Sequence, residues 1–217
     1  MNMIHCIGDS HSCFFSGEDK IQPIWPEQSF DTLPYFRSYR IGPSTAYNLN
    51  NKKENIIEPL IQSLNLSEKD KLLFCFGEVD CRAHLIKQSQ LQNRNICDII
   101  NECVFRYISA IKYYKKYTNN IWVWGPIASW NENRPYTGPS HGTNIERNLF
   151  TQHFNKTLEE MCEREKFGFV TFFYDMLNTD MSTNETYLDD WEGCHIHLSQ
   201  RCMPMVLDKF KEKKIIE

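Results

Sequence analysis

The residues Met3-Ile4-His5-Cys6-Ile7-Gly8-Asp9-Ser10 form a short, mostly apolar run that ends at a glycine and two polar residues. Such a run is typical of a strand that is covered on both faces of a sheet. Two clear runs, Lys71–Phe76 and Ile121–Trp124, end at glycines, a third, Phe169–Tyr174, ends at Asp175, and a weaker one covers Tyr35–Ile41. The sequence therefore predicts a sheet of about five strands, mainly parallel.

Between these runs, apolar residues recur at helical spacing. The helical patterns cover Ile56–Leu64, Ile96–Tyr117 and Asn144–Glu165, and Ser199 is a suitable N-cap for a last helix that runs to about Lys213. Strands that alternate with helices indicate an α/β chain with right-handed crossovers. We expect a three-layer α/β/α sandwich with a flavodoxin-like sheet, formed by residues 1–217 as one domain.

The charge of the chain excludes one broad class of function. The 217 residues include 24 Lys and Arg against 28 Asp and Glu, a formal net charge of −4. This balance provides no positive field for a nucleic-acid backbone. No apolar run approaches the roughly 20 residues of a membrane-spanning helix, and the first residues lack the pattern of a signal peptide. We expect a cytoplasmic protein that binds neither nucleic acid nor a membrane.

Nine cysteines are scattered along the chain, and no two of them form a Cys-x-x-Cys pair. A chain of this length does not need disulfides to fold, so we expect reduced thiols, several of them buried. Cys194, His195 and His197 would suit a metal, but no second cluster supplies further ligands. Glycine-rich phosphate-binding motifs are absent from the sequence as well. No metal or organic cofactor is expected.

The polar residues that end the predicted strands are the candidates for chemistry, because ligands bind at the carboxyl edge of a parallel sheet. Ser10 follows the first strand at the start of a predicted helix, where its own N–H group favours a developing negative charge. Residues 189–199 place several acids beside His195 and His197. A histidine that is oriented by an acid can activate a serine. Alternatively, Ser10 is an ordinary helix N-cap, and one of the two histidines only packs against the core or caps the last helix.

Four short motifs in chain order resemble the blocks of the SGNH (GDSL-type) hydrolases, over nearly the whole chain. They are Gly8-Asp9-Ser10-His11, Gly42 after Tyr39-Arg40-Ile41, Phe76-Gly77-Glu78-Val79-Asp80-Cys81-Arg82, and His197-Leu198-Ser199. The resemblance implies that Ser10 is a nucleophile. It also implies that the N–H groups of Ser10 and Gly42 stabilise an oxyanion, and that the last block supplies a base and an acid.

The third block departs from the family pattern Gly-x-Asn-Asp. Val79 stands at the position of the asparagine, and valine cannot donate a hydrogen bond to an oxyanion. Arg82 is the candidate substitute, in a charged network with Glu78 and Asp80 at the mouth of a pocket. Gly77 belongs to the same set of candidate oxyanion-hole or substrate-binding residues. Alternatively, these three charged residues only pair with one another and brace the loop.

The last block departs from the family pattern Asp-x-x-His. If His197 is the base, the position of the acid is Cys194. If His195 is the base, that position is Glu192, and Asp190 could serve in a bulged loop. The helix start at Leu198 and Ser199 favours His197 as the base, and His195 remains the alternative base.

The resemblance implies a serine esterase that acts on a small acyl ester. An O-acetyl group on a carbohydrate is the most plausible substrate, since aromatic rings near the third clear strand could stack on sugars. These rings belong to Trp122, Trp124, Trp130 and Tyr136. The alternatives are a sugar O-acyltransferase that uses the same nucleophile and a non-catalytic binding protein that kept the fold.

Overall fold

The computed structural model describes residues 2–49, 56–134, 136, 138–189 and 195–216. A parallel sheet of five strands forms its centre, in the order β2-β1-β3-β4-β5. This order is flavodoxin-like, and the predicted α/β fold is confirmed. The strands are β1 (Ile4–Gly8), β2 (Phe36–Arg40), β3 (Lys71–Cys75), β4 (Ile121–Trp124) and β5 (Gly168–Val170).

In the part of the chain that the structure describes, five α-helices connect or flank the strands. They are α1 (Ile57–Ser63), α2 (Leu85–Gln92), α3 (Ile96–Lys112), α4 (Asn144–Glu165) and α5 (Met203–Glu212). Short 3-10 turns include Ser10–Ser16, Tyr113–Lys116 and Gln200–Cys202, and a π turn covers Asp80–His84. Two further strands, β6 (Leu188–Asp189) and β7 (His197–Leu198), pair antiparallel outside the main sheet.

Most predicted elements lie where the sequence pattern placed them, and the differences include the following three. The predicted strand Phe169–Tyr174 ends at Val170, and a 3-10 turn covers Phe173–Met176. The last helix begins with a 3-10 turn after Ser199, whose hydroxyl accepts a hydrogen bond from the N–H of Arg201. Helix α2 was not predicted, since Leu85 is its only buried residue and the rest of its sequence is mostly polar, with three Gln and one Lys.

Both faces of the sheet are covered by apolar side chains. Successive residues of β3 alternate between two core clusters: Leu72 and Phe74 belong to one, and Leu73 and Cys75 to the other. The first cluster includes residues of α3 and α4, and the second includes residues of α5 and of the turn Ser10–Ser16. This alternation is what a strand buried on both faces produces, and it makes the protein a three-layer sandwich.

All eight cysteines in the described segments are free, and seven of them are buried. Cys194 lies outside those segments. Within the same segments, no helix is long and apolar enough to cross a membrane.

Candidate active site

Ser10 and His197 are 187 positions apart in the sequence and meet at the carboxyl edge of the sheet. The distance between Ser10 Oγ and His197 Nε2 is 2.9 Å. Ser10 is partly exposed and opens the turn Ser10–Ser16 directly after β1, where Asp9 Oδ1 accepts a hydrogen bond from the N–H of His11 at 2.9 Å. The cap fixes the turn and leaves the Ser10 hydroxyl facing the imidazole.

The short strand pair β6–β7 positions the His197 ring. His197 is 3% exposed and lies opposite Asp189 in the antiparallel register. One residue beyond β7, the hydroxyl of Ser199 donates to Asp189 Oδ2 at 2.9 Å and so ties the two strands together. Burial, followed by the charge of the neighbouring His11, lowers the pKa of His197 well below its usual value. Both effects favour the neutral imidazole, which is the form that can accept a proton.

The acids predicted to orient the histidine, Asp190 and Glu192, lie outside the described residues, as does Cys194. His195 is described. It is partly exposed and has a left-handed backbone conformation, with φ of 48°. Of the two candidate bases, His197 is the one whose ring the structure places within hydrogen-bond distance of Ser10.

A buried carboxylate, Glu78, lies beside this pair. Its Oε2 is 2.8 Å from His11 Nε2, and its Oε1 accepts from Arg82 Nε at 2.7 Å. The guanidinium makes a second hydrogen bond to Glu78, at 3.1 Å, and donates through its third nitrogen to the Tyr136 hydroxyl and the carbonyl oxygen of Pro139. Burial alone would raise the pKa of Glu78, but Arg82 and His11 outweigh it and hold that pKa far below its usual value.

Asp80 lies two residues further on and takes different partners. Its carboxylate accepts hydrogen bonds from the N–H groups of Ala46, at 2.7 Å, and Tyr47, at 3.2 Å. Burial raises the pKa of Asp80 to about 7. The sequence grouped Asp80 with Glu78 and Arg82 in one network, but the structure ties Asp80 to the backbone of the loop that follows β2.

Gly42 begins that loop. Its φ is 98°, a left-handed conformation that strains residues with a side chain. A Cβ atom added to Gly42 would lie 4.0 Å from its nearest neighbour, Ile24 Cδ1, so backbone conformation rather than crowding accounts for the glycine. Gly77, after β3, also has a left-handed backbone, with φ of 110°, and it is crowded in addition, since a Cβ atom there would lie 2.8 Å from Pro126 Cγ.

Solved structures resemble the chain, although no family model and no curated protein matches it. A catalytic mutant of Axe2, an acetylxylan esterase from Geobacillus stearothermophilus, matches with a TM-score of 0.56 at 14% identity, over 100% of this chain and 95% of that one. A GDSL-like lipase from Bacteroides thetaiotaomicron matches with a TM-score of 0.55 at 13% identity, over 98% and 89% of the two chains. The protein has the SGNH (GDSL-type) hydrolase fold.

Within this SGNH fold, the contacts of two side chains, those of His11 and Tyr136, were not predicted from the sequence. His11 was noted only as part of the first motif, and Tyr136 only as an aromatic ring. The structure places His11 on Glu78 and Tyr136 on Arg82. A histidine next to Ser10, together with an acid at the end of the central strand, was the available signal for the first contact.

The arrangement at the edge of the SGNH fold can perform one kind of chemistry directly. A neutral imidazole at hydrogen-bond distance from a serine hydroxyl can take its proton and make the oxygen nucleophilic. Among residues 2–49, 56–134, 136, 138–189 and 195–216, no group of three or more His, Cys, Asp or Glu side chains is arranged to hold a metal ion.

Proposed function

We propose that the protein is a serine esterase that hydrolyses a small acyl ester through an acyl-enzyme. The observation that carries the proposal is the 2.9 Å distance between Ser10 Oγ and His197 Nε2 at the carboxyl edge of the sheet. The esterase and lipase names of the structural neighbours support the same class of reaction.

The proposed reaction has two halves, and His197 carries the proton in both. His197 accepts the proton of Ser10 as Oγ attacks the carbonyl carbon, and the tetrahedral intermediate then expels the alcohol, which takes that proton. Water attacks the acyl-enzyme and gives a proton to His197. When the C–Oγ bond breaks, that proton returns to Ser10 and the carboxylic acid leaves.

The N–H groups of Ser10 and Gly42 are the proposed donors to the oxyanion. A third donor is not available at Val79, which is apolar. Arg82 stays the candidate substitute: its guanidinium donates four hydrogen bonds, to Glu78, Tyr136 and Pro139, and has five N–H groups in all. Loss of one oxyanion donor typically costs on the order of 10²–10³ in rate. Without that substitute, we expect a slow enzyme.

The proposed substrate is an O-acetyl group on a carbohydrate. The support is the acetylxylan esterase among the structural neighbours. The aromatic rings predicted to stack on sugars give little support. Trp124 and Trp130 are only 4% and 7% exposed and belong to the core. Tyr136 is partly exposed, but its hydroxyl accepts from Arg82.

Labelling with a serine-directed fluorophosphonate tests the nucleophile. We expect the reagent to modify the wild-type protein and the control variant Ser44→Ala, which removes a partly exposed serine from the neighbouring loop, but not Ser10→Ala. Equal labelling of Ser10→Ala, or no labelling of the folded wild-type protein, would contradict the proposal. Release of free acetate from an acetylated oligosaccharide, without transfer to an added sugar, separates hydrolysis from acyl transfer.

A further inference from the structure

Gly42 lies in a short segment that is fixed at both ends. Before it, the N–H of Ile41 donates to the carbonyl oxygen of the last residue of β1 at 2.9 Å. After it, the N–H groups of Ala46 and Tyr47 donate to the carboxylate of Asp80. Ile41 and Ala46 are 8% and 0% exposed and belong to the same core cluster. The segment that contains Gly42 therefore has two anchors, one on β1 and one on Asp80.

The chain between these anchors makes a tight turn. The N–H of Ser44 donates to the carbonyl oxygen of Gly42 at 2.9 Å, and the residue between them is Pro43, whose ring fixes its own φ angle. A Cβ atom on Gly42 would lie 4.0 Å from Ile24 Cδ1, its nearest neighbour, so this side of Gly42 is not closely packed. A tight turn of this kind moves as one piece when an anchor is lost. The direction of the Gly42 N–H group therefore depends on both anchors.

Asp80 is a well-fixed acceptor for the second anchor. It is 1% exposed and begins the π turn Asp80–His84, where the N–H of Cys81 donates to the carbonyl oxygen of Gly77 at 2.9 Å. Sγ of Cys103 in α3 donates to its Oδ1 at 3.5 Å. The two backbone N–H groups of the loop lie 2.7 Å and 3.2 Å from its two oxygens. Hydrogen bonds to a carboxylate are roughly twice as strong as those between neutral groups, so this contact can determine where the loop lies.

We propose that Asp80 is a positioning residue: by binding the N–H groups of Ala46 and Tyr47, its carboxylate holds the loop that presents the Gly42 N–H group to the oxyanion. The inference rests on the proposed function and deepens it. A donor to the oxyanion acts mainly in the transition state, where the negative charge develops. Loss of the anchor should therefore lower kcat and leave KM nearly unchanged.

Steady-state kinetics of Asp80→Asn on an acetyl ester at pH 8 tests this role. The pKa of Asp80 is about 7, so at pH 8 the wild-type side chain is mostly ionised and both oxygens accept. In the variant, an amide nitrogen replaces one acceptor and faces a backbone N–H group, so one of the two hydrogen bonds is lost. We expect kcat to fall by at least about tenfold, toward the roughly 10²–10³-fold loss that removal of an oxyanion donor causes, with KM within about twofold. An unchanged kcat, or a rise in KM that accounts for the whole loss, would overturn the inference.

Thr45→Val is the matched control in the same loop. Oγ1 of Thr45 accepts a hydrogen bond from the N–H of Asn48 at 3.3 Å, and valine removes that bond while Asp80 keeps its contacts. We expect its kcat to stay near the wild-type value. An equal loss in Thr45→Val and Asp80→Asn would show that any weakening of the loop lowers activity, and the specific role of Asp80 would be wrong. If urea denaturation shows that Asp80→Asn is not folded, Asp80→Ala takes its place, since it removes both acceptors without adding a donor, and the same loss of kcat is expected.

A second measurement does not depend on turnover. Trifluoroacetone should add to Ser10: Oγ bonds to the carbonyl carbon, the proton of Ser10 passes to His197, and the carbonyl oxygen becomes an oxyanion. Asp80→Asn should weaken this adduct, as measured by ¹⁹F NMR, by about the factor by which kcat falls, and Thr45→Val should not. Equal affinity for trifluoroacetone in Asp80→Asn and the wild-type protein would contradict the role of Asp80.

The outcomes separate the two proposals. If the wild-type protein neither hydrolyses esters nor forms the adduct, the esterase proposal fails and the role of Asp80 fails with it. If the wild-type protein does both and Asp80→Asn equals it in kcat and in adduct affinity, only the role of Asp80 fails.

Discussion

Gly8 and Cys75 lie side by side at the carboxyl ends of β1 and β3, so close that a Cβ atom on Gly8 would lie 2.3 Å from the carbonyl oxygen of Cys75. This approach brings the residues after β1 beside the residues after β3. It is the backbone contact that allows His11 to reach Glu78.

Gly8→Ala should therefore destabilise the protein. The added methyl group meets backbone rather than a flexible side chain, so the strands must separate, at a cost of about 1–3 kcal/mol. The free energy of unfolding from urea denaturation measures this loss. A change within about 0.5 kcal/mol, as expected for an unconstrained surface site, would show that the two strands are not in this contact.

Asp80 should make stability depend on pH. Its pKa is about 7 in the folded protein and near 3.8 when unfolded, so the folded state binds the proton more tightly. The resulting stabilisation is fully present below pH 3.8 and is lost as the pH rises toward 7. Between pH 5 and pH 7.5 the wild-type protein should lose more stability than Asp80→Asn, which cannot titrate. Urea denaturation at the two pH values measures both changes. Equal losses of stability in the wild-type protein and in Asp80→Asn would contradict the raised pKa of a buried Asp80.

Val79→Asn should restore the donor that the SGNH pattern places at this position. If an oxyanion forms between Ser10 and Gly42, the new amide should raise kcat/KM for an acetyl ester, by up to about 10²-fold. Val79→Leu is the matched control, since it changes size without adding a donor. The absence of any gain in a folded Val79→Asn protein would mean that the oxyanion lies elsewhere.

Replacement of the two histidines in turn should give unequal effects. His197→Gln removes the group that faces Ser10 and should lower kcat on the order of 10²–10⁴-fold. His195→Gln changes a partly exposed side chain and should lower kcat by less than about tenfold. Steady-state kinetics on an acetyl ester provides both values. The reverse order would make His195 the base.

The strands, and the positions of Ser10 and His197 at strand ends, were predictable because their signals are local. Each strand is an apolar run ended by polar residues, and alternation with helices predicts a parallel sheet. Ser10 and His197 stand at such ends, next to a turn and a helix start. Contacts between the loops at the carboxyl edge of the sheet are not local. Asp80, for example, accepts hydrogen bonds from the N–H groups of Ala46 and Tyr47, more than 30 residues earlier in the sequence. Such contacts depend on strand register, which the pattern of one chain does not encode.

Mass spectrometry of the acyl-enzyme tests the central claim most directly. The wild-type protein, quenched in acid during turnover of p-nitrophenyl acetate and then digested, should carry an acetyl group on Ser10, and Ser10→Ala should carry none and should not turn over. Turnover by the Ser10→Ala protein at the wild-type rate, or an acetyl group that accumulates on another residue during turnover, would contradict the account.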